Sequence, residues 1–353
     1  MKKYIITAGC EKDFTAASKA REDARAIAER EGYIPFPFSG ENTAERNPLL
    51  AVKLAFSSLG NWRRLARQAE PGSVVLLQYP HYPLKTAYLM RRMIPRIRKK
   101  KGIRFVFLVH DLNSVRGTFG KAAMYSDGHL LGQADRIICH NGSMKEYLMK
   151  QGIPEDKLVL LNIFDYLTDA APGEHAREDG IAIAGNLEQR KSGYVGKFIR
   201  LSNGEIPVHL YGTGLELGHG EQNISYHGAV PSGELPGKIR GGFGLVWDGP
   251  SADSCLGKMG GYLRINNPHK MSLYLASGMP VIVWKEAAAA KFTEENGVGL
   301  AVESLQEVKQ KIREIPEEEY REMARRAGEI GAGLRIGIRL AAALEKAEGP
   351  APD

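Results

Sequence analysis

The chain has 353 residues, of which 43% are apolar and 25% charged, a balance that is typical of a globular protein and excludes a disordered one. This length is enough for two domains of ordinary size. A formal net charge of +7 suits an anionic partner, such as a nucleotide, a nucleic acid or an acidic membrane surface.

The N-terminal sequence MKKYIITAGC has only a short apolar run before charged residues follow, so it does not match a secretory signal. No apolar run approaches the roughly 20 residues that span a bilayer. Three cysteines, Cys10, Cys139 and Cys255, are too few and too scattered for a disulfide framework or a zinc site. The sequence therefore predicts a cytoplasmic protein with reduced thiols.

Short apolar runs alternate with helical patterns along the whole chain. The predicted strands of the first half are 4–7, 74–78, 104–109, 136–139 and 159–163. Those of the second half are 181–184, 208–211, 244–247, 281–284 and 299–302. A first helix, around Ala20 to Ala28, ends at Gly32, and the other predicted helices are 190–201, 268–277, 304–313 and 317–346. Continuous apolar strands separated by helices predict parallel sheets that are covered on both faces.

The polar segment DYLTDAAPGEHAREDG, residues 165–180, has no periodic apolar face and predicts an interdomain linker. The expected fold is therefore α/β, with Rossmann-like domains at 1–168 and 179–330 whose parallel sheets face an interdomain cleft. Residues 331–353 are expected to form a C-terminal helix and tail that pack back toward the N-terminal domain. Such sheets bind ligands outside the carboxyl ends of their strands.

Several common site patterns are missing from the sequence. The first strand-to-helix turn reads TAGCEKDFTAAS rather than G-x-G-x-x-G, which disfavours a nicotinamide dehydrogenase. A G-x-x-x-x-G-K-[ST] loop is also missing, which disfavours a nucleoside triphosphatase. Neither H-E-x-x-H nor G-x-S-x-G occurs.

The positive charge is concentrated between Lys85 and Arg104, where nine Lys and Arg residues occur without an acid. Apolar residues recur there at helical spacing and predict an amphipathic helix with a cationic face, which Pro95 would bend or bound. This face is either simply solvated or docks on an anionic membrane that carries a lipid-linked acceptor. A nucleic-acid partner is disfavoured, because aromatic residues are not interleaved with the cations.

Turns that follow the strands of the second half suit an anionic ligand. Gly185 and Asn186 follow the strand 181–184, and Arg190 and Lys191 open the next helix, where backbone N–H groups and two cations would meet a phosphate. The remaining turns of this kind are Gly212–Gly214 and Asp248–Pro250.

The segment YLRINNPHKMSLYLASGMPVIVW, residues 262–284, is the most informative part of the chain. Pro268 suits the first position of a helix that has Asn267 as its N-cap. Lys270 and Ser272 then lie in the first turn. A diphosphate at this turn would meet backbone N–H donors, the helix dipole and an ammonium group together.

In the first half, the sequence LVHDLNSVR places His110 and Asp111 at the carboxyl end of an apolar strand. Catalytic groups of doubly wound folds lie at such ends, and either side chain can accept the proton of an acceptor hydroxyl. Because side chains alternate along a strand, only one of the two should point into the cleft, and Asp111 is favoured. The same edge is expected to carry His140, Asn141, Lys19, Arg21 and Asp23.

In their order along the chain, these segments resemble the bacterial glucosyltransferase 3-like family. That family includes glucosyltransferases of streptococcal serine-rich adhesins and galactofuranosyltransferases of polysaccharide synthesis. The segments that carry the resemblance are SKAR-x-D, HDL-x-x-x-R, the strand end HN, GNL-x-x-x-K and NNPHK-x-S-x-YLA-x-G-x-PVIVW. The resemblance covers nearly the whole chain. It implies a GT-B fold, a UDP-sugar donor, no metal or other cofactor, and the homo-oligomers that family members can form.

The resemblance also assigns site residues. Together with the turns described above, it gives a donor site of Gly185, Asn186, Arg190, Lys191, Tyr211, Asp248, Asn267, Lys270 and Ser272. The acceptor side comprises Lys19, Arg21, Asp23 and Arg116, with Asp111 as the catalytic base and His110 beside it. The EGFG motif of many retaining GT-B enzymes has no match here. The stereochemical course is therefore open, and inversion is favoured because a candidate base exists.

The sequence thus predicts a hexosyltransferase that moves glucose, galactose or galactofuranose from a UDP-sugar to a saccharide acceptor on a glycan, glycolipid or glycoprotein. Alternatives are a GT-B epimerase of sugar nucleotides, a phosphorylase, or a non-catalytic partner subunit of another glycosyltransferase. The expected location is the cytoplasm, with peripheral contact to the inner face of the cell membrane.

Overall fold

Among the described residues, two six-stranded parallel sheets carry the fold, one in each half of the chain. The computed structural model describes residues 1–8, 16–38, 48–216 and 222–349. These residues form two compact units. The first unit contains residues 1–8, 21–38, 48–162 and 340–349, and the second contains residues 16–20, 163–216 and 222–339. The predicted α/β class with two Rossmann-like parallel sheets is confirmed.

The first unit has the strand order β2-β1-β3-β4-β5-β6. Its strands are β1 (Lys3–Ala8), β2 (Tyr33–Phe38), β3 (Val74–Tyr79), β4 (Arg104–Val109), β5 (Arg136–Cys139) and β6 (Leu158–Leu160). Its helices are α1 (Ala16–Arg30), which begins in the second unit, α2 (Pro48–Gln68), α3 (Ala87–Lys101), α4 (Asn113–Arg116), α5 (Gly120–Leu130) and α6 (Gly142–Lys150). All six residues of β3 are buried, as expected for a central strand covered on both faces.

The second unit has the strand order β12-β11-β10-β7-β8-β9. Its strands are β7 (Ile181–Asn186), β8 (Val208–Thr213), β9 (Ile224–Gly228), β10 (Phe243–Val246), β11 (Val281–Trp284) and β12 (Gly299–Val302). Its helices are α7 (Gln189–Ser192), α8 (Tyr194–Ser202), α9 (Leu235–Lys238), α10 (Gly257–Gly261), α11 (His269–Ala276), α12 (Ala288–Asn296), α13 (Val308–Glu314) and α14 (Glu317–Ile336). The last helix, α15 (Ile338–Glu348), belongs to the first unit from Leu340 onward.

Alternate residues of β7 and β10 pack into two separate cores, one on each face of the second sheet. Ile181, Ile183 and Leu245 belong to one core. Ala182, Ala184 and Val246 belong to the other, together with α11. The strict alternation fixes which strand-end side chains share a face, because a one-residue slip would exchange the two cores.

Two strands, β2 and β9, were not predicted from the sequence, and both lie at a sheet edge. β2 carries Pro35 and Pro37, and the sequence YIPFPF lacks a continuous apolar run. Proline is tolerated there because an edge strand leaves backbone N–H groups without a ladder partner. β9 is mostly exposed and carries little apolar sequence. The helix α2 between β2 and β3 was also missed.

Glycine explains where two predicted helices are interrupted. The predicted helix 317–346 divides into α14 and α15 at Gly337, whose φ of 90° belongs to the left-handed region. The predicted helix 190–201 divides into α7 and α8 at Gly193. A Cβ at Gly193 would lie 2.8 Å from the carbonyl oxygen of Gln189, so the break needs a residue without a side chain.

The basic segment forms helix α3, with Pro95 inside it. Met90, Ile94 and Ile97 are buried on one face. Not all its cations face solvent: Arg98 pairs with Asp135 at 2.9 Å, and Lys101 donates to the carbonyl oxygen of Ala69 at 2.5 Å. The exposed cations of the helix are Arg91, Arg92, Arg96, Lys99 and Lys100.

The C-terminal helix is fastened to the first sheet by charged side chains. Lys3 on β1 pairs with Glu348 at 3.0 Å, and Arg104 on β4 donates to the carbonyl oxygens of Glu348 and Gly349 at 2.8 Å. Leu344 is fully buried at this packing surface. Within the described part of the chain, no helix has the length and apolarity to cross a membrane.

Candidate active site

The first candidate group is the turn from β7 to α7. Asn186 shapes it: its Oδ1 accepts from the N–H of Glu188 at 2.8 Å, and its carbonyl oxygen accepts from the Ser192 hydroxyl at 2.6 Å. Gly185 has a φ of 131° and open space where a Cβ would be. On the neighbouring strand, a Cβ at Gly212 would lie 1.8 Å from the Gly185 carbonyl oxygen, so only glycine fits there.

This turn adjoins the loop after β10. The N–H of Gly249 donates to the carbonyl oxygen of Lys191 at 3.0 Å. The N–H of Tyr194 donates to the carbonyl oxygen of Gly249 at 3.2 Å. Arg190 is exposed and Lys191 is half-buried. The structure therefore brings the backbone of α7, which carries the two predicted cations, next to the loop that begins at Asp248.

Lys270 and Asp248 form the centre of the candidate donor site. The Nζ of Lys270 donates to Oδ1 of Asp248 and to the carbonyl oxygen of Trp247, both at 2.9 Å. The two side chains are 14% and 13% exposed. Lys270 is thus not a fully exposed first-turn lysine. Burial opposes its charge, but the charge and hydrogen bond of Asp248 outweigh this effect and raise the pKa of Lys270.

Tyr274, one turn after Lys270, ties α11 to the sheet and was missed from the sequence. Its hydroxyl accepts from the N–H of Ala184, the residue before Gly185, at 2.9 Å. Its ring lies against Gly244 of β10, where a Cβ would be 2.1 Å from the ring. Glycine inside this strand was the available signal, because it marks a close approach of another group.

Three buried polar atoms around the start of α11 have no hydrogen-bond partner in the described residues: Asn266 Oδ1, His269 Nε2 and Ser272 Oγ. Buried polar atoms are usually paired, so such a cluster points to a ligand or to ordered water. The predicted N-cap is wrong: Pro268 occupies the cap position with ψ of 137°, and the helix begins at His269. Asn267 is buried immediately before this cap.

His269 was not predicted as a site residue. Its ring lies 5.0 Å from that of Tyr166. Burial and the nearby charge of Lys19 lower the pKa of His269 to about 3, so its ring is neutral at physiological pH. A neutral imidazole offers one donor and one acceptor nitrogen to its surroundings.

Tyr211 was predicted at the end of its strand but lies inside β8, which continues to Thr213, and its hydroxyl forms hydrogen bonds within the fold. Its hydroxyl accepts from the N–H of Arg240 at 2.8 Å, and its ring stacks on that of His227 with centroids 4.5 Å apart. Within the described residues, the Tyr211 hydroxyl forms its hydrogen bonds with the backbone of Lys238 and Arg240 and not with Asp248 or Lys270.

In the first unit, His110 and Asp111 have different partners. His110 Nε2 lies 2.8 Å from Oε1 of Gln78, and the side chain of Gln78 donates in turn to the carbonyl oxygen of Arg21 at 3.2 Å. Asp111 Oδ2 accepts from Arg116 at 2.7 Å, an ion pair that is about one-quarter exposed on both sides. The predicted base and the predicted acceptor residue Arg116 are therefore in direct contact.

His140 supports this strand end from β5. It is buried, and its Nε2 lies 2.9 Å from the carbonyl oxygen of Val109, the last residue of β4. Burial lowers the pKa of His140 to about 4. Asn141 caps α6 instead, because its Oδ1 accepts from the N–H of Met144. His140 is thus a positioning residue for the chain that carries His110 and Asp111.

The three remaining predicted acceptor residues are divided between the units. Arg21 belongs to the first unit and donates to the carbonyl oxygen of Pro80 at 2.8 Å. Lys19 belongs to the second, where it donates to the carbonyl oxygen of Leu167 at 2.5 Å and lies 5.0 Å from the ring of Tyr166. Asp23 is buried on α1. Residues 9–15 of the predicted acceptor loop, including Cys10, lie outside the described residues.

Metal-binding side chains do not gather in the described parts of either unit. There, no group of three or more His, Cys, Asp or Glu residues is placed to hold a metal ion. Cys139 and Cys255 are buried free thiols, and burial raises the pKa of each to about 12.

Family models match both halves of the chain. The model described as the N-terminal domain of glucosyltransferase 3-like proteins matches residues 2–163, and that of the C-terminal domain matches residues 181–347. The chain belongs to the glucosyltransferase 3-like family. The resemblance inferred from the sequence motifs is thereby confirmed.

Two curated relatives support this membership. The chain is 34% identical over 250 residues to the beta-1,6-galactofuranosyltransferase WbbI of Escherichia coli K12, covering 69% of this chain and 71% of the relative. It is 27% identical over 240 residues to glucosyltransferase 3 of Streptococcus gordonii, covering 66% and 67%. The predicted enzyme class is confirmed: this member of the glucosyltransferase 3-like family is a glycosyltransferase.

Solved structures confirm the predicted GT-B fold. Sucrose-phosphate synthase from Thermosynechococcus elongatus aligns with a TM-score of 0.64 at 12% identity, covering 98% of both chains. Anabaena Alr3699/HepE, solved in complex with UDP-glucose, aligns with a TM-score of 0.58 at 12% identity, covering 98% of this chain and 99% of that one.

Proposed function

We propose that this glycosyltransferase moves a hexose from a UDP-sugar to a saccharide acceptor on a glycan, glycolipid or glycoprotein, with inversion at the transferred carbon. Glucose, galactose and galactofuranose are the candidate sugars, since the relatives are named as a glucosyltransferase and a galactofuranosyltransferase. One observation carries the proposal. The partly buried ammonium of Lys270 lies in the first turn of α11, the helix start at which polar atoms of Asn266, His269 and Ser272 have no hydrogen-bond partner within the described part of the chain.

This arrangement suits the diphosphate of a sugar nucleotide. An ammonium has three N–H donors, and the contacts to Asp248 and to the carbonyl oxygen of Trp247 use two of them. The third would donate to a phosphate oxygen, which the N-terminal dipole of α11 also attracts. Asp248 orients Lys270, and the Ser272 hydroxyl would donate to the same anion. Arg190 and Lys191 supply further positive charge next to this loop.

We propose that donor binding needs no metal ion. The support is chemical: the side chains that meet the diphosphate in this proposal are cations and hydroxyls, whereas Mg²⁺ is usually held by carboxylates and by the phosphates themselves. Asp248 already pairs with Lys270.

The proposed base is Asp111 of the first unit. In an inverting reaction, the acceptor oxygen forms a bond to the anomeric carbon while the bond from that carbon to the diphosphate breaks. Asp111 would take the proton of the acceptor hydroxyl, and UDP would leave with the bonding electron pair. The ion pair with Arg116 holds the carboxylate in one orientation, and the hydrogen bond to Gln78 does the same for His110.

Product analysis tests the function directly. Incubation with UDP-glucose, UDP-galactose or UDP-galactofuranose and a panel of glycoside acceptors should give free UDP and an extended glycoside. Conversion of one sugar nucleotide into another would support the epimerase alternative. UDP binding by calorimetry without turnover of any donor would support a non-catalytic partner subunit.

We further propose peripheral contact with an anionic membrane through α3. The exposed cations Arg91, Arg92, Arg96, Lys99 and Lys100 support it, because each near-surface cation contributes about 1 kcal/mol to binding anionic lipids. We also propose that the protein is cytoplasmic and that it forms the homo-oligomer implied by the family resemblance. Light scattering coupled to size-exclusion chromatography tests the oligomer.

A further inference from the structure

Phe119 is an exposed aromatic residue in an uncommon backbone conformation. Its side chain is 57% exposed, and its φ of 57° lies in the left-handed region that bulky residues rarely adopt. It directly precedes α5 and ends the segment that begins with His110 and Asp111 and contains α4. Burial in a hydrophobic core therefore does not account for this large apolar ring.

The ring of Phe119 forms a pair with that of Tyr82. Their centroids are 5.8 Å apart and their planes are inclined by 56°. Tyr82 is fixed by two other contacts: the guanidinium of Arg21 lies 5.5 Å from its ring centroid, and its hydroxyl accepts from the amide of Asn113 at 3.3 Å. The aromatic pair is therefore anchored before any ligand arrives.

The loop that presents Phe119 is also fixed. Asn113 is buried, and its Oδ1 accepts from the Thr118 hydroxyl at 3.0 Å. The N–H of Ser114 donates to Asp127 of α5 at 2.8 Å. Asn113 thus connects Tyr82 to the segment that ends at Phe119. A side chain held on such a framework loses little conformational freedom when a ligand binds.

Contacts connect the aromatic pair to the proposed acceptor side. Arg21 links Tyr82 to Gln78, and Gln78 links to His110. Asp111 and Arg116, which form the ion pair described above, lie with Phe119 in the segment between β4 and α5 that contains α4. An aromatic ring offers a large, rigid apolar contact face, and the fixed polar side chains nearby can form hydrogen bonds. For a sugar, the aromatic ring covers the C–H face while polar side chains bond the hydroxyls.

We propose that the Tyr82–Phe119 pair is the surface on which the acceptor saccharide ring stacks, and that Phe119 helps to determine which acceptors are used. The inference rests on the proposed hexosyl transfer and names residues of its acceptor side that the sequence motifs did not include. Phe119 binds the acceptor ring, and Asn113 positions the pair through Tyr82. The proposed donor residues Lys270 and Asp248 belong to the second unit, so the pair is assigned to the acceptor alone.

The test compares Phe119→Ala and Phe119→Trp with the control Phe56→Ala. Phe56 is a phenylalanine of the same unit that is 72% exposed on α2. Para-nitrophenyl glycosides of common hexoses and N-acetylhexosamines serve as acceptors, with the UDP-sugar that the parent protein uses best. Phe119→Ala should raise the KM for the acceptor about five- to tenfold, as expected for loss of one aromatic contact. The KM for the UDP-sugar should not change.

Phe119→Trp should restore the acceptor KM to within about twofold of the parent value, because a larger ring still offers a stacking face. Its fluorescence emission should also shift when the acceptor glycoside is added. Phe56→Ala should match the parent in all assays.

Different results overturn different claims. A parent protein that transfers no sugar overturns the proposed function together with this inference. An active parent whose acceptor KM is unchanged by Phe119→Ala overturns the inference alone. Equal changes in donor KM, acceptor KM and melting temperature indicate a structural role for Phe119 and also overturn it. The same holds if Phe119→Ala only weakens liposome binding or only dissociates an oligomer.

Discussion

The ammonium of Lys270 lies 2.9 Å from Oδ1 of Asp248, and this pair joins the first turn of α11 to the carboxyl end of β10. Both side chains are largely buried. Loss of one partner of such a pair leaves the other charge buried without compensation, which commonly costs about 3–5 kcal/mol. The pair therefore contributes to the fold as well as to the proposed donor site.

Lys270→Met should lower both stability and UDP affinity. We expect the affinity for UDP to fall by about 1.5–3 kcal/mol, the range for a hydrogen bond to a charged group. In the double variant with Asp248→Asn, the unpaired charge is removed, so the melting temperature should recover while UDP affinity stays low. Calorimetry with UDP and thermal denaturation separate the two effects. Unchanged UDP affinity in both variants would remove Lys270 from the donor site.

Asp111→Asn should abolish transfer while UDP affinity is preserved. Loss of a general base usually lowers the rate by about 10²–10⁴. Asparagine retains a carbonyl oxygen that can accept from Arg116, so the loop should keep its position. Transfer rates and UDP calorimetry are the measurements, and His110→Gln is the matched variant. If Asp111→Asn stays within about threefold of the parent rate, or roughly 0.7 kcal/mol, while His110→Gln is inactive, His110 is the base. Two active variants would show that the base lies elsewhere.

Transfer should continue in the presence of a metal chelator. Lys270, Arg190 and Lys191 are proposed to balance the diphosphate charge in place of a divalent ion. The measurement is the transfer rate in excess EDTA, followed by addition of magnesium or manganese. A rate that disappears with the chelator and returns with either metal would contradict the proposal.

Helix α3 should bind anionic vesicles in a salt-dependent way. Charge reversal at Arg92, Arg96 and Lys99 should strongly reduce co-sedimentation, since each exposed cation contributes about 1 kcal/mol at low salt. Charge reversal at the exposed Lys197, Lys285 and Lys291 of the second unit is the control with equal net charge. If the two triple variants bind vesicles equally, or if ionic strength does not change the binding, the cationic face of α3 is simply solvated and does not bind membranes.

Acid should destabilise the protein through buried histidines, of which His140 is the clearest case. Its pKa is about 4 in the fold against 6.5 for the free side chain, so the unfolded chain takes up the proton first as the pH falls. The contribution of His140 to the free energy of unfolding is fully present above pH 6.5. It is lost as the pH falls toward 4. His140 alone would account for up to about 2 kcal/mol at pH 5.

The variant His140→Gln isolates this contribution. Glutamine keeps an N–H donor for the carbonyl oxygen of Val109 but does not titrate. Denaturation at pH 7 and pH 5 should therefore show a smaller acid effect in the variant than in the parent protein. An identical pH dependence in both proteins would mean that His140 does not titrate in this range.

Most of the buried sheet was predictable, because parallel strands covered on both faces are continuous apolar runs. Four strands, among them β4 and β11, have the bounds that the sequence indicates. Two of the four edge strands were missed for the opposite reason: Pro35 and Pro37 interrupt β2, and β9 is polar. Local patterns cannot show a strand whose stability comes from its neighbour.

The sequence could indicate which strand ends carry candidate site residues. It could not indicate which of these residues contact each other. The sequence indicated Asp248, Lys270 and Asp111 separately, whereas pairing Lys270 with Asp248 requires knowing that β10 and α11 are adjacent. The division of Lys19 and Arg21 between units also has no local signal, since both lie on one continuous helix. Phe119 carries no motif, and its left-handed φ appears only in three dimensions.

The pairing of Lys3 with Glu348 has a consequence for how the protein is made. The two residues are 345 positions apart, yet both belong to the first unit. During synthesis, the strands β1 to β6 emerge first, and the helix that covers Lys3 and Arg104 emerges after the whole second unit. The first unit therefore cannot complete its packing until residues far beyond its last strand have been synthesised.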